Sequence, residues 1–205
     1  MSDRPLVYVL DDDNLVVESL SHSLRHANYS VASFSSPKEF LNQTINSEHA
    51  CLILDLNMPG HSGLQIQREL KNRGCNIPII IYSGAANVSE AVAAMQEGAV
   101  TLLQKPVAIE KLCKTIDKAL AKQEKTRHQR EQIKQAAEKL ARLTKREAVI
   151  AKMVSDGYSA AEIAEELYIS SRTVEAHKSN IFQKAEVRSI AQLTQITMLA
   201  EREHV

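Results

Sequence analysis

The chain has 205 residues, 44% hydrophobic and 24% charged, and its 25 basic and 25 acidic side chains cancel to a formal net charge of zero. That usage is ordinary for globular protein, fits one large or two modest domains, and excludes a disordered chain or a polybasic tail. The longest apolar runs are about strand length, short of the roughly 18 residues a membrane helix needs, and no charged-then-apolar leader opens the chain, so a cytoplasmic protein without a membrane partner is expected. Cys51, Cys75 and Cys113 lack metal-ligand spacing and sit in or beside apolar segments, which points to buried free thiols.

In chain order, apolar strand-length runs alternate with amphipathic segments through about residue 122. Strands are expected near 6–10, 30–34, 51–55, 78–83 and 100–104, with helices near 14–27, 37–46, 63–72, 87–97 and 108–122. Two of the helices carry a start signal: Ser36-Pro37-Lys38-Glu39 and Asn87-Val88-Ser89-Glu90 each place a capping residue three before Glu. Five βα units of this kind specify an α/β domain with a doubly wound, five-stranded parallel sheet.

The strand ends carry the chemistry. Asp11, Asp12 and Asp13 follow the first run, Asp55 the third, Ser83 closes the fourth and Lys105 the fifth. Parallel strands bring such carboxyl ends to one edge of an open α/β sheet. Crowded carboxylates repel unless a cation lies among them or some stay protonated, and an oxygen-only set suits Mg2+. A carboxylate acceptor, a metal, a hydroxyl and a fixed cation are what a transferring phosphoryl group requires. Taken singly, each piece has a plainer reading as a cap, a turn or a strand end. Their order at successive strand ends gives the pattern its weight.

The succession Asp11-Asp12, Asp55, Ser83-Gly84 and Lys105-Pro106 resembles the receiver domain of two-component response regulators. The resemblance makes Asp55 the phospho-acceptor and Asp11 and Asp12 the metal pair. The backbone carbonyl of Asn57 becomes a further metal ligand, Ser83 the hydroxyl that follows the phosphoryl group, and Lys105 its counter-ion. It also implies a flavodoxin-like fold and a cis Lys105-Pro106 peptide. Two positions depart from that pattern. Leu102 stands where the family usually carries a switch aromatic, and Gln104 replaces a frequent acid.

Past Pro106 no strand pattern recurs. The stretch 107–143 lacks Gly and Pro and is rich in Lys, Glu, Gln and Ala, so the fifth helix is expected to run on into a helical linker, with a solvated polar segment around Lys122 to Arg130. The remainder reads as helices. Thr144-Lys145-Arg146-Glu147 and Ser159-Ala160-Ala161-Glu162 are capping boxes, Gly157 marks a helix end, and a short connector at Leu167 to Ser170 leads into a helix over 171–185. Two short helices so spaced match a helix-turn-helix. The phrases Leu143 to Glu147, Glu162-Ile163-Ala164, Ile169 to His177 and Asn180-Ile181 resemble the LuxR-type DNA-binding domain. With the receiver in front, nearly the whole chain resembles the FixJ and NarL class of response regulators. Ala185 stands where that DNA-binding family usually has a larger aliphatic residue.

At 3.6 residues per turn Val174, Ile181 and Ala185 share one face of the second helix, and Glu175, Ala176, Ser179, Asn180 and Gln183 spread over the other. The second set is expected in the major groove: Ala176 suits a thymine methyl, Asn180 or Gln183 an adenine edge, and Glu175 either a cytosine or the helix dipole. Arg172, Thr173 and Lys184 are expected on phosphates. Lys178 lies inside the apolar arc, open equally to a phosphate or an intramolecular partner.

The expected organisation is a receiver over 1–122, a helical linker over 123–142 and a helix-turn-helix domain over 143–205. The expected function is a transcription regulator, not an enzyme beyond slow autodephosphorylation. Its expected partners are a sensor histidine kinase, double-stranded DNA, a second copy when phosphorylated, and RNA polymerase. Two alternatives stand beside it. An aspartate-dependent phosphatase shares an Asp nucleophile and Mg2+ on an α/β sheet, but Asn57 stands where its second Asp would be and no cap domain is evident. A phosphorylation-independent DNA binder is disfavoured by the acidic pair.

Overall fold

A computed structural model describes residues 4–84 and 87–201. The chain divides into two compact bodies, residues 1–125 and 126–205. In the first body the elements run β1 (Leu6–Leu10), α1 (Asn14–His26), β2 (Ser30–Phe34), α2 (Pro37–Leu41), β3 (Ala50–Leu54), β4 (Asn57–Met58), β5 (His61–Ser62), α3 (Gly63–Asn72), β6 (Ile79–Ser83), α4 (Val88–Gln96), β7 (Thr101–Gln104) and the first half of α5 (Ile109–Leu140), whose second half belongs to the second body. The second body adds α6 (Lys145–Ser155), α7 (Ala160–Glu166), α8 (Ser171–Lys184) and α9 (Ile190–Glu201). Residues 202–205, the end of the expected third segment, lie outside the described residues.

Five strands form one parallel sheet in the order β2-β1-β3-β6-β7, as the alternation of elements led us to expect. Side-chain alternation along each strand splits its residues between two cores. Leu10, Leu52, Leu54 and Ile81 pack against Phe40 of α2, Ile66 and Leu70 of α3 and Ala94 of α4. Val7, Val9, Ile53 and Ile80 face the other way, against Leu20 and Leu24 of α1 and Leu112 and Ile116 of α5. Each fully buried aliphatic side chain contributes about 1.5–3 kcal/mol, so burial on both faces, rather than local propensity, holds these short strands.

Three features depart from the expected elements. Helix α2 stops at Leu41 with Asn42 as its C-cap, where a helix to about 46 was expected. The Asn46 amide donates to the Tyr8 hydroxyl at 3.0 Å, and the Asn46 side chain accepts from Glu48 N, so a side-chain-directed turn replaces the last helical turn. A two-stranded antiparallel pair, β4 with β5, closes over Pro59-Gly60, and Gly60 has φ +78°. Of the three thiols only Cys51 is buried; Cys75 and Cys113 are half-buried because they lie where a helix or turn meets the surface.

In the second body Ile150 and Val154 of α6, Ile163 of α7, Val174, Ile181 and the C-cap Ala185 of α8, and Leu193 of α9 form one core. Leu140 and Leu143, at and just beyond the end of α5, pack against it. Capping boxes start α6 at Thr144 and α7 at Ser159, with both reciprocal bonds present in each.

Candidate functional site

The sheet order reverses direction between β1 and β3, the switch point at which open α/β sheets bind ligands. Asp11 and Asp55 emerge there side by side because the ladder runs one residue past the strands: Asp11 N–H donates to Phe34 O and Asp55 N–H to Leu10 O. Asp11 and Asp55 are buried and Asp12 is exposed, and their carboxylates offer oxygen atoms within 4.8 Å of one another. Asp13 plays a separate part as N-cap of α1, accepting from Leu15 N at 2.9 Å.

Lys105 follows β7 and reaches across the sheet end. Its Nζ donates to Asp11 Oδ2 at 2.5 Å and to Asp55 Oδ2 at 3.0 Å, and lies 5.6 Å from the Tyr82 ring centroid. Burial raises the Asp11 carboxyl above its ordinary range against the opposing pull of Lys105. Burial alone would lower the Lys105 ammonium, but its bonds to Asp11 and Asp55 outweigh that and hold it above its ordinary value. The Lys105-Pro106 peptide is cis.

The Ser83 hydroxyl is buried at the same rim and makes no hydrogen bond among the described residues. An unpaired buried hydroxyl costs about 1–3 kcal/mol, so its placement calls for a partner that arrives with the ligand. Asp55 Oδ1 accepts from Leu56 N at 2.7 Å, which aims the other oxygen at Lys105. Asn57 opens β4 and is exposed beside Asp55. Gly63 secures this loop from below: its N–H donates to Leu56 O at 2.9 Å, and a Cβ there would overlap the Asp55 carbonyl oxygen. The sequence reading missed Gly63. An Asp55-to-Gly63 spacing across a turn was the available signal, but the close approach is visible only in three dimensions.

Hard oxygen donors from Asp11, Asp12 and Asp55, with one ammonium against three carboxylates, leave a net negative rim that fits a small divalent cation.

The second site is the outer face of α8. Val174 and Ile181 are fully buried, while Glu175, Ala176, Ser179, Asn180 and Gln183 are exposed, as are Arg172 and Thr173 at the helix start. Ser170 caps the helix, accepting from Thr173 N at 3.1 Å. Lys178 pairs with Glu175 at 2.9 Å. Lys184, expected on a phosphate, instead donates to both carboxylate oxygens of Glu147, at 2.8 and 2.7 Å. Glu147 is buried and also closes the α6 capping box, and its bonds to Lys184 and Thr144 hold its carboxyl down to about 2. The cause of the difference is a contact between residues 37 positions apart. Sequence reading accounted for Glu147 as a cap and left its second oxygen unassigned.

A receiver-type rim on a parallel sheet ordered β2-β1-β3-β6-β7 and a helix-turn-helix body define a DNA-binding response regulator. Residues 7–117 match the response regulator receiver domain, and residues 141–197 match the luxR family of bacterial regulatory proteins. The chain therefore belongs to the response regulators that join these two domains. It is 42% identical over 198 residues to the response regulator protein TodT of Pseudomonas putida, covering 96% of this chain and 87% of that relative. It is 31% identical over 194 residues to the transcriptional regulatory protein FixJ of Azorhizobium caulinodans, covering 95% and 92%. The solved structure of the response regulator StyR matches with a TM-score of 0.82 at 35% identity, over 95% of this chain and 98% of that one.

Proposed function

We propose that Asp55 is the phosphoryl acceptor of a cytoplasmic two-component system and that its phosphorylation, by a sensor histidine kinase, governs pairing of the chain and binding of DNA by α8. Lys105 carries the assignment, because one ammonium bonds both Asp11 and Asp55 beside a buried hydroxyl with no partner among the described residues. In the transfer, an Asp55 carboxylate oxygen bonds to phosphorus as the P–N bond of the donor phosphohistidine breaks, and the imidazole leaves with a proton. Lys105 and Ser83 neutralise and orient the phosphoryl oxygens, as a loose phosphoryl transition state requires. Asp11, Asp12, Asp55 and the Asn57 carbonyl would hold Mg2+, which screens charge between donor and acceptor when bound. Water attack on the acyl phosphate returns Asp55 slowly to its resting form.

A phosphoryl dianion at this rim draws Ser83 and Lys105 toward it and biases the packing of α4 and β7. Val88, Val92 and Met95 form an exposed apolar stripe on α4, a surface suited to a second copy of the chain. In the second body Arg172 and Thr173 serve as phosphate ligands, and Ala176, Ser179, Asn180 and Gln183, with Glu175, face base edges. Lys178 and Lys184 can reach DNA phosphates only by sharing ammonium groups that already hold Glu175 and Glu147. We divide the chain functionally into the receiver 1–122, the linker 123–142 and the DNA-binding segment 143–205, with RNA polymerase as the further partner of the bound dimer.

Acetyl phosphate with Mg2+ tests the acceptor. The wild-type protein should take up one phosphoryl group with the lability of an acyl phosphate, released by base and by hydroxylamine and mapped to Asp55, and Asp55→Asn should take up none. Full labelling of Asp55→Asn would remove the assignment.

A further inference from the structure

Tyr168 is the most exposed large hydrophobic residue among the described residues, at 96% of its full accessibility, and its backbone is left-handed, with φ +54°. The position is the residue after the C-cap of α7. Ile169 N–H donates back to Ala164 O and Tyr168 N–H to Glu165 O, the paired bonds of a helix-ending turn that favours glycine. Elsewhere the chain obeys that preference. Gly74, Gly98 and Gly157 occupy the equivalent place after α3, α4 and α6, and Asn28 does so after α1. The other exception is Glu186 after α8, and its side chain is engaged by Lys139 and Arg142. Tyr168 has the same left-handed backbone, strained relative to glycine, and its side chain makes no hydrogen bond, ion pair or ring contact among the described residues.

Its place in the fold names the occupant. Tyr168 lies in the connector of the helix-turn-helix, two residues before Ser170, the cap of α8. In such a motif the first helix crosses the DNA backbone and the second enters the major groove by its N-terminal end, so the connector passes over phosphates. The Arg146 guanidinium donates to Leu167 O at 2.8 Å, which fixes the connector and places a cation beside it. Glu165 and Glu166 are exposed just before the turn. A neutral phenol flanked by a cation on one side and carboxylates on the other suits one hydrogen bond to a phosphate oxygen.

We infer that the Tyr168 hydroxyl is a DNA-backbone ligand that sets how the α8 N-terminus seats in the groove. This rests on the reading of α8 as the recognition helix. A hydroxyl donating to a charged oxygen supports about a tenfold effect, equal on every DNA sequence. Because the group is neutral it releases no counter-ion, so its loss leaves the salt dependence of binding unchanged.

The test uses the full chain treated with acetyl phosphate and Mg2+, on duplexes selected from a random library by the wild-type protein. Tyr168→Phe, which keeps ring and backbone, should bind all selected duplexes about tenfold more weakly with the wild-type salt slope. Tyr168→Gly should lose at least as much affinity while raising the melting temperature, an opposite movement that a purely structural tyrosine would not produce. Wild-type affinity in both variants, alongside altered site preference in Asn180→Ala and Gln183→Ala, would overturn this inference and leave the α8 reading standing. Unchanged preference in the α8 variants would instead remove the reading on which it rests. Wild-type DNA affinity combined with lost transcription by RNA polymerase would assign Tyr168 to a protein contact and likewise overturn the proposal.

Discussion

At the scale of single residues, the rim is a set of opposed demands that only a ligand resolves. The Asp11 carboxyl is raised by burial, Lys105 is shared between two carboxylates, and the Ser83 hydroxyl has no partner among the described residues. Replacing Ser83 with Ala should therefore leave the fold intact or slightly more stable but slow phosphoryl transfer by about a hundredfold, the order expected for removing one donor that acts on developing charge. Single-turnover labelling from acetyl phosphate, beside a thermal melt, checks both halves. Glu147 supplies a second residue-level outcome. Its ordinary value of 4.5 falls to about 2 in the folded domain, chiefly through Lys184. A depressed carboxyl stabilises the fold fully above the unfolded value, and that contribution disappears as pH falls from about 4.5 toward 2. Urea titrations at pH 6, 4 and 3 should show the DNA-binding body weakening across that window. Glu147→Gln should be weaker at pH 6 and much flatter with pH. A wild-type stability that stays level down to pH 3 would show that the Lys184 pair contributes nothing.

Among the elements, what could be read from the amino-acid string and what could not divides along one physical line. Strands buried on both faces announce themselves as apolar runs, so Ile79 to Ser83 and Leu6 to Leu10 were legible, as were helices with a cap such as Asn87 or Thr144. Asp55, Asp11 and Lys105 were legible as strand-end residues because sheet topology alone brings them together. Contacts set by distant partners were not. The early end of α2 depends on Tyr8, the tight loop under Asp55 on Gly63, and the role of Lys184 on Glu147. Gly63→Ala tests one of these: crowding the Asp55 carbonyl should cost about 1–3 kcal/mol and slow labelling of Asp55, readable by chemical denaturation and by phosphoryl uptake. On α8 the outcomes separate by contact type. Arg172→Ala should weaken binding evenly on all duplexes and reduce the salt slope by up to about one counter-ion. Asn180→Ala or Gln183→Ala should instead change which base pairs are preferred, at about 1–3 kcal/mol per lost contact. Affinity against a site library at two salt concentrations distinguishes the two patterns.

For the whole molecule, a zero net charge means that no general field holds DNA, so in the proposed reading binding rests on a few local cations and exposed polar groups on α8. Two copies double that set, which makes pairing the natural point of control. The exposed apolar stripe of Val88, Val92 and Met95 on α4 is the surface proposed for pairing, and Val92→Glu should keep Asp55 labelling while preventing phosphorylation-dependent dimers in sedimentation experiments. The most direct measurement of the central claim is the affinity of the full chain for one selected duplex, with and without acetyl phosphate and Mg2+, in the wild-type protein and in Asp55→Asn. Phosphodonor should tighten binding by the wild-type protein at least tenfold and leave Asp55→Asn unchanged. Equal tightening in both proteins, or none in the wild type at full Asp55 occupancy, would contradict it.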